Sequence, residues 1–250
     1  MPAFRYLTFL LLNVALLPAC NKATPLTTQA RPQTGFDPRL RRELDSIDVE
    51  DQKYRILLME AMGSDDSPGL DSLKKAAGIA DAQVGPYLAE QMVKIDSANI
   101  KRVGEMIRQG GYPGKTRVGE PTNEVALLVI QHSTRIPRYL GLIEQEAAKG
   151  EVPYYLYARM LDRHLMQQGK PQRYGTQGRS YHVRNAQGQP ETISLIWPIE
   201  DAAHVNERRK KAGFDSTVEA NAERLRIPYR PVTMAEVQEI ERRAAAAAHP

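Results

Sequence analysis

The chain has 250 residues, a formal net charge of +4 and a single cysteine. So small a positive excess does not indicate a nucleic-acid-binding protein, and one cysteine excludes an internal disulfide. The length is enough to bury one hydrophobic core of ordinary size, so we predict one main domain.

The first twenty residues have the three parts of an export signal. Arg5 supplies a positive charge, an apolar run extends from Leu7 to Leu17, and Ala19 precedes Cys20. The run is too short to cross the ~30 Å hydrocarbon layer as a permanent helix. Its end, Leu17-Pro18-Ala19-Cys20, resembles the bacterial lipobox. This resemblance implies cleavage after residue 19 and acylation of Cys20, with palmitate-like chains on the mature N-terminus.

The alternative is an ordinary secretory signal with a cysteine near the cut by chance. An unmodified lone thiol would be reactive in an oxidising compartment, so lipid attachment at Cys20 is the better explanation. Two or more acyl chains give essentially permanent membrane attachment. We therefore expect a cell-envelope lipoprotein that faces the periplasm, by default at the outer membrane. The expected partner is the membrane, through the lipid anchor, and nucleic acid is excluded.

Residues 20–38 are rich in Thr, Pro and Gln and predict a flexible tether. Helical spacing follows, with a first helix from Arg39 to Met62 and a turn-rich break after it. We predict a short helix over Leu70–Ala80 and a long one from Val84 or Pro86 to Gln109, before Gly110-Gly111.

The run Val125–Ile130 is apolar on all sides and fits either a helix or a buried strand. We favour a helix that begins near Glu120-Pro121-Thr122 and continues through His132. Two further helices are predicted over Pro137–Lys149 and Pro153–Gln168, each with proline near its first turn.

The pattern changes between residues 173 and 199, where Tyr, Thr, Val, Ile and Trp surround a turn at 185–190 and predict a β-hairpin. Helices return at 202–212, 216–226 and 234–248. The last is rich in alanine with little apolar face, so we expect residues 231–250 to be loosely held. The predicted fold class is mainly α: a compact multi-helix domain over 39–230 with one small hairpin.

Several motifs occur in a fixed order between Leu40 and Phe214. They are Asp51-Gln52 with Arg55, Asp96 with Asn99, Gly110-Gly111-Tyr112-Pro113, Gln131-His132, Asp162-Arg163, Gln172, Tyr174-Gly175-Thr176-Gln177 and Arg208-Arg209. This order resembles a bacterial family known only as a domain of unknown function, which implies positions but no chemistry. The chain departs from the family pattern at Tyr112, at Ser133-Thr134 and at Asn206, where that family tends to have Trp, an acidic residue and Asp.

One candidate site is a group of polar side chains on apolar helix faces. His132 shares a stripe with Val125 and Val129, while Asp96 and Asn99 lie on the inner face of the long helix. A buried carboxylate needs a partner, which Arg55 or Arg163 could supply. Two interpretations remain open: a polar network that fixes helix register, or a pocket in which His132 is an acid–base group oriented by Asp96.

The second candidate is the loop at Tyr174–Gln177, with Asp162 and Gln172 before it. Gly175 would allow a positive φ or a close backbone approach. Thr176, Gln172 and Gln177 offer neutral donors and acceptors suited to an amide- or sugar-like ligand. Equally, the loop could be a tight turn into the hairpin whose polar side chains satisfy its own backbone.

The sequence contains no two histidines four residues apart, no nucleophile elbow and no phosphate-binding loop. We therefore expect no metal site and no cofactor. The first functional hypothesis is a lipoprotein whose helical domain binds a small polar ligand or an envelope partner protein. The second is an envelope hydrolase that uses His132 and Asp96 as an acid–base pair.

Overall fold

A computed structural model describes residues 35–63 and 67–248. The predicted signal, Cys20 and most of the predicted tether lie outside these residues. Ten α-helices and one two-stranded antiparallel hairpin form the described part of the chain. The mainly α fold class with a single small hairpin is therefore confirmed.

The chain forms two compact units, one on each side of the step from Val152 to Pro153. We predicted one domain over 39–230. The helical patterns do not reveal this division, because a buried face identifies a core position without identifying which helices share the core. We call residues 35–152 the first unit and residues 153–248 the second unit.

The first unit begins with three helices: α1 (Pro38–Gly63), α2 (Pro68–Ala77) and α3 (Asp81–Gly110). Ser67 caps α2 through its side chain, which accepts a hydrogen bond from the Leu70 amide. α1 packs against α2 and along α3. The predicted helices thus form close to their predicted bounds, each ending near a glycine.

Three further helices complete the first unit: α4 (Lys115–Val118), α5 (Val125–Gln131) and α6 (Ile136–Ala148). The sequence did not predict α4. All residues from Val125 to Ile130 are buried, because α5 contacts α1, α3 and α6. The helix prediction for this apolar run is confirmed, and α5 is the central element of the unit.

The second unit contains α7 (Tyr154–Gln167), β1 (Gly178–Arg184), β2 (Pro190–Ile196), α8 (Val205–Lys211), α9 (Val218–Arg224) and α10 (Met234–Ala248). In the hairpin Gly178 pairs with Ile196 and Arg184 with Pro190. The Asn185 side chain closes the turn by accepting hydrogen bonds from two backbone amides.

Helix α10 packs on the hairpin more closely than we expected. Val237 and Ile240 are buried against Trp197 and the inward side chains of both strands. At the start of the helix, Thr233 and Glu236 bond each other's backbone amides, which is a capping box. Apolar side chains one turn apart thus hold this alanine-rich helix on the hairpin, together with Glu241, which bonds Arg179 and Tyr181.

Within the described ranges, no helix has the combination of length and apolar character that crossing a bilayer requires.

Candidate functional site

The predicted site residues fall in both units. Arg55, Asp96, Asn99 and His132 belong to the first unit, and the remaining six belong to the second. These six are Asp162, Arg163, Gln172, Tyr174, Thr176 and Gln177. The lipidation residue Cys20 lies outside the described residues.

His132 is held by a buried carboxylate on α1. It follows the last residue of α5, and its Nδ1 lies 3.0 Å from Oδ2 of Asp51. The Asp51 side chain is 2% exposed and that of His132 is 12% exposed. A group that orients the ring is therefore Asp51, which sequence reasoning did not place in the site, because α1 lies against the C-terminal end of α5.

Asp96 pairs with Arg55 next to this contact. Nη2 of Arg55 donates to both oxygens of Asp96, at 2.7 and 2.8 Å. Nη1 of Arg55 donates to the Asp51 backbone carbonyl at 2.6 Å and lies 3.5 Å from Oδ1 of Asp51. Arg55 thus links the two carboxylates, while the Asp96 side chain keeps 19% of its surface exposed.

The two carboxyl groups respond differently to this environment. Burial opposes ionisation of Asp51, but the charge and hydrogen bond of His132 and the charge of Arg55 outweigh it, so the pKa lies below its ordinary value. Burial dominates at Asp96, and its pKa is raised although Arg55 and His132 act against the shift. The two groups therefore differ in how readily each takes up a proton.

Asn99 lies one helical turn after Asp96 on the inner face of α3. Its side chain is buried, with the residue only 1% exposed, and neither side-chain amide atom has a hydrogen-bond partner among the described residues. Buried amides are nearly always hydrogen-bonded. Asn99 therefore marks an unsatisfied donor and acceptor one helical turn from Asp96.

Asp51, Asp96 and His132 also form a group of potential metal ligands. One donor atom from each lies within 4.8 Å of the other two. The three residues come from α1, α3 and the end of α5, far apart in the sequence. Local spacing motifs cannot identify such a group, so the sequence alone predicted no metal site here.

In the second unit, Asp162 fixes the 172–177 loop. It is fully buried on α7, and its carboxylate accepts hydrogen bonds from the amides of Arg173, Tyr174 and Thr176 and from the Thr176 hydroxyl. Burial raises its pKa to about 6, against the effect of these donors. The carboxylate is thus fully used within the loop.

Gln172 has a similar structural part. Its amide nitrogen donates to the carbonyls of Gln177 and Trp197, and its amide oxygen accepts from the Gln177 amide. The Gln177 side chain donates to the Thr176 hydroxyl. These contacts favour the interpretation of the loop as a self-satisfied turn that leads into β1.

Gly175 meets both expectations for it. Its φ is +66°, and an added Cβ would lie 2.5 Å from Cγ2 of Val218 and 2.8 Å from Cδ1 of Ile199. The neighbouring Tyr174 ring packs with Phe214. A side chain at position 175 would therefore strain the backbone and collide with the core.

Arg209 also stabilises this loop, although it was not among the predicted site residues. It is buried, and its guanidinium donates to the carbonyls of Tyr174 and Ser216. Arg163 lies half-buried on α7 beside Asp162. Asp162, Gln172 and Arg209 thus hold one loop.

Asp51 is the site residue that sequence reasoning missed. It is part of the Asp51-Gln52 motif, and its spacing places it in one helical stripe with Ile47, Tyr54 and Leu58, but it was not among the predicted site residues. A charged residue inside an apolar stripe was the available signal, because such a residue must face the core.

Comparison with known proteins gives a family and no activity. The model of a protein family of unknown function, DUF6624, matches residues 38–226. No curated protein and no solved structure matches the chain.

Proposed function

We propose that this chain, which belongs to the DUF6624 family of unknown function, is a lipid-anchored envelope protein that binds a small polar ligand in its first unit. The ligand would sit at the Asp51, Arg55, Asp96 and His132 cluster. The observation that carries this proposal is a partly exposed imidazole held by a buried carboxylate.

The cluster has the composition of a polar binding site. Two carboxylates offer acceptors, and a guanidinium and an imidazole offer donors. Asp51 and Arg55 form a buried floor, while Asp96 and His132 keep contact with solvent. Preformed polar groups on packed helices lose little entropy when a ligand binds. A ligand with both donors and acceptors, such as an amide or a hydroxyl-rich molecule, fits this arrangement best.

A thermal-shift screen of amino acids, dipeptides and mono- and disaccharides tests the binding proposal. A compound that raises the melting temperature of the wild type should lose that effect in Asp51→Asn and His132→Ala. The matched control is His182→Ala, since His182 is exposed on the hairpin. A panel without such a compound, or a shift that survives both site variants, would contradict the proposal.

The second candidate function is acid–base catalysis by an envelope hydrolase. A ring that donates its Nδ1 proton to a carboxylate carries its basic lone pair on Nε2, which is the arrangement of a general base. The contact between His132 and Asp51 favours it, with Asp51 in the place we first gave to Asp96. A catalytic histidine predicts that His132→Ala keeps its melting temperature and loses turnover. A purely structural histidine predicts a lower melting temperature.

Anchoring through Cys20 has its own experiment. Mass spectrometry of the mature N-terminus should find an acylated cysteine. Cys20→Ser should move the protein from the membrane fraction to the soluble fraction. An unmodified N-terminus, or a serine variant that stays with the membrane, would refute the lipid anchor.

A further inference from the structure

We infer that Asp51, Asp96 and His132, the three-ligand cluster, bind one divalent transition-metal ion. This inference rests on the proposed function, because it adds a metal ion to the same site, where the polar ligand would contact it. The three side chains come from three helices and bring their donor atoms within 4.8 Å of one another. Such convergence is the first requirement of a metal site.

The contact between His132 and Asp51 has the spacing of two ligands on one ion. Nδ1 lies 3.0 Å from Oδ2. Two donors about 2.1 Å from a shared ion stand about 3.0–3.4 Å apart, depending on the coordination angle. An ion can therefore replace the shared proton of this pair while the two donor atoms barely move.

Asn99 gives an independent reason to expect a bound group. It is buried one turn along α3 from Asp96, and both of its side-chain polar atoms lack a partner among the described residues. Side chains at i and i+3 on a helix are neighbours, with Cβ atoms about 5–6 Å apart. The amide oxygen can serve as a further ligand, and the amide nitrogen can hold a water on the ion.

Arg55 supplies positive charge to the cluster in the absence of an ion. Its guanidinium bonds both oxygens of Asp96, so an ion that takes Asp96 as a ligand must compete with Arg55. With a neutral imidazole, Asp51, Asp96 and Arg55 sum to a charge of −1, which favours a cation. Removing Arg55 should therefore strengthen metal binding. A purely structural ion-pair network binds no ion, so the same change would produce no metal binding.

The donor set indicates the class of ion. One imidazole nitrogen with two carboxylates and an amide oxygen suits Zn²⁺ or Mn²⁺ better than Mg²⁺, which prefers oxygen ligands and keeps its waters. Asp96 and His132 lie on the solvent side of the cluster. The ion would keep an open position for water or for a polar ligand on that side.

Calorimetric titration of the metal-stripped mature chain with ZnCl₂ and MnCl₂ tests this inference. We expect saturable binding of one ion per chain, and at a hundredfold excess over Kd a rise in Tm of about 5 °C or more. Asp51→Asn and His132→Ala should each weaken binding at least 100-fold. Asp81→Asn and His182→Ala are the matched controls, since both residues are exposed, and they should bind as the wild type does.

If circular dichroism shows that one of the ligand variants is unfolded, Arg55→Gln still tests the inference. It should bind Zn²⁺ at least tenfold more tightly than the wild type. The inference is overturned if the wild type shows no saturable binding, if folded His132→Ala binds normally, or if Arg55→Gln binds no more tightly.

The polar-ligand screen, run once with a chelator and once with Zn²⁺, separates this inference from the proposed function. Metal binding without any polar ligand would support the ion and refute the ligand. If calorimetry finds no ion binding while a polar ligand still binds in the presence of the chelator, the ion is refuted and the proposed function stands.

Discussion

Replacing Asp162 by Ala should destabilise the second unit by about 3 kcal/mol. Three backbone amides and one hydroxyl would lose their acceptor, at roughly 1–3 kcal/mol for each buried unsatisfied donor, or about 6 kcal/mol together. Removing a carboxylate whose pKa is raised to about 6 returns about 3 kcal/mol of that at pH 7, because ionisation inside the fold then costs free energy. The difference is the expected net loss.

Tryptophan fluorescence during urea unfolding reports this loss specifically. Trp197 is the only tryptophan in the chain, and it is buried in the hairpin core of the second unit. With a slope of about 2 kcal/mol per molar urea, the midpoint should fall by about 1.5 M. Asp215→Ala is the control, since Asp215 is exposed. A urea midpoint that shifts no more than in this control would refute the free energy assigned to the hydrogen bonds that Asp162 accepts.

Three further predictions concern backbone strain, pH and capping. Gly175→Ala should lower the free energy of unfolding, measured with denaturant, by about 3 kcal/mol, and Gly213→Ala by about 1 kcal/mol. Both residues have positive φ, but only at Gly175 would an added Cβ collide with core atoms. Equal losses in the two variants would disprove this close approach. Because the pKa of Asp51 is lowered in the folded protein, its ionised form adds stability at pH values above its pKa in the unfolded chain, and this stability is lost as the pH falls through its pKa in the folded protein. Asp51→Asn should therefore make stability depend less on pH on the acid side, as measured by circular dichroism. An unchanged acid side of the profile would contradict this. Ser67→Ala should remove about 1 kcal/mol of N-cap stabilisation from α2. Because Ser67 also bonds Glu60 on α1, faster amide exchange should appear in α2 and at the end of α1, and unchanged exchange in α2 would contradict the cap.

Local signals predicted the helices well. The stripe on α1, the glycines that end helices and the apolar run of α5 are properties of adjacent residues, so sequence alone contains them. The prediction that Asp96 and Asn99 on α3 and His132 at the end of α5 face inward also needed only periodicity. The burial of Asn99 agrees with that reasoning.

Pairing between helices was not accessible in the same way. The contact between Asp51 and His132 depends on how α1 and α5 pack, and no short spacing expresses it. The division at Val152 is likewise a property of contacts between distant elements. The residue types of the loop at Tyr174–Gln177 are enough to make it a candidate site. That its polar groups are already hydrogen-bonded to Asp162 and Gln172 could be known only from the structure.

The docking of α10 has a practical consequence for how the protein can be shortened. The family match ends at residue 226, whereas the helix that covers the hairpin spans Met234–Ala248. A recombinant fragment cut at the family boundary would leave the apolar side of the strands, including Trp197, open to water. We expect such a fragment to aggregate or to need detergent, and fragments intended for crystallisation should extend to residue 248.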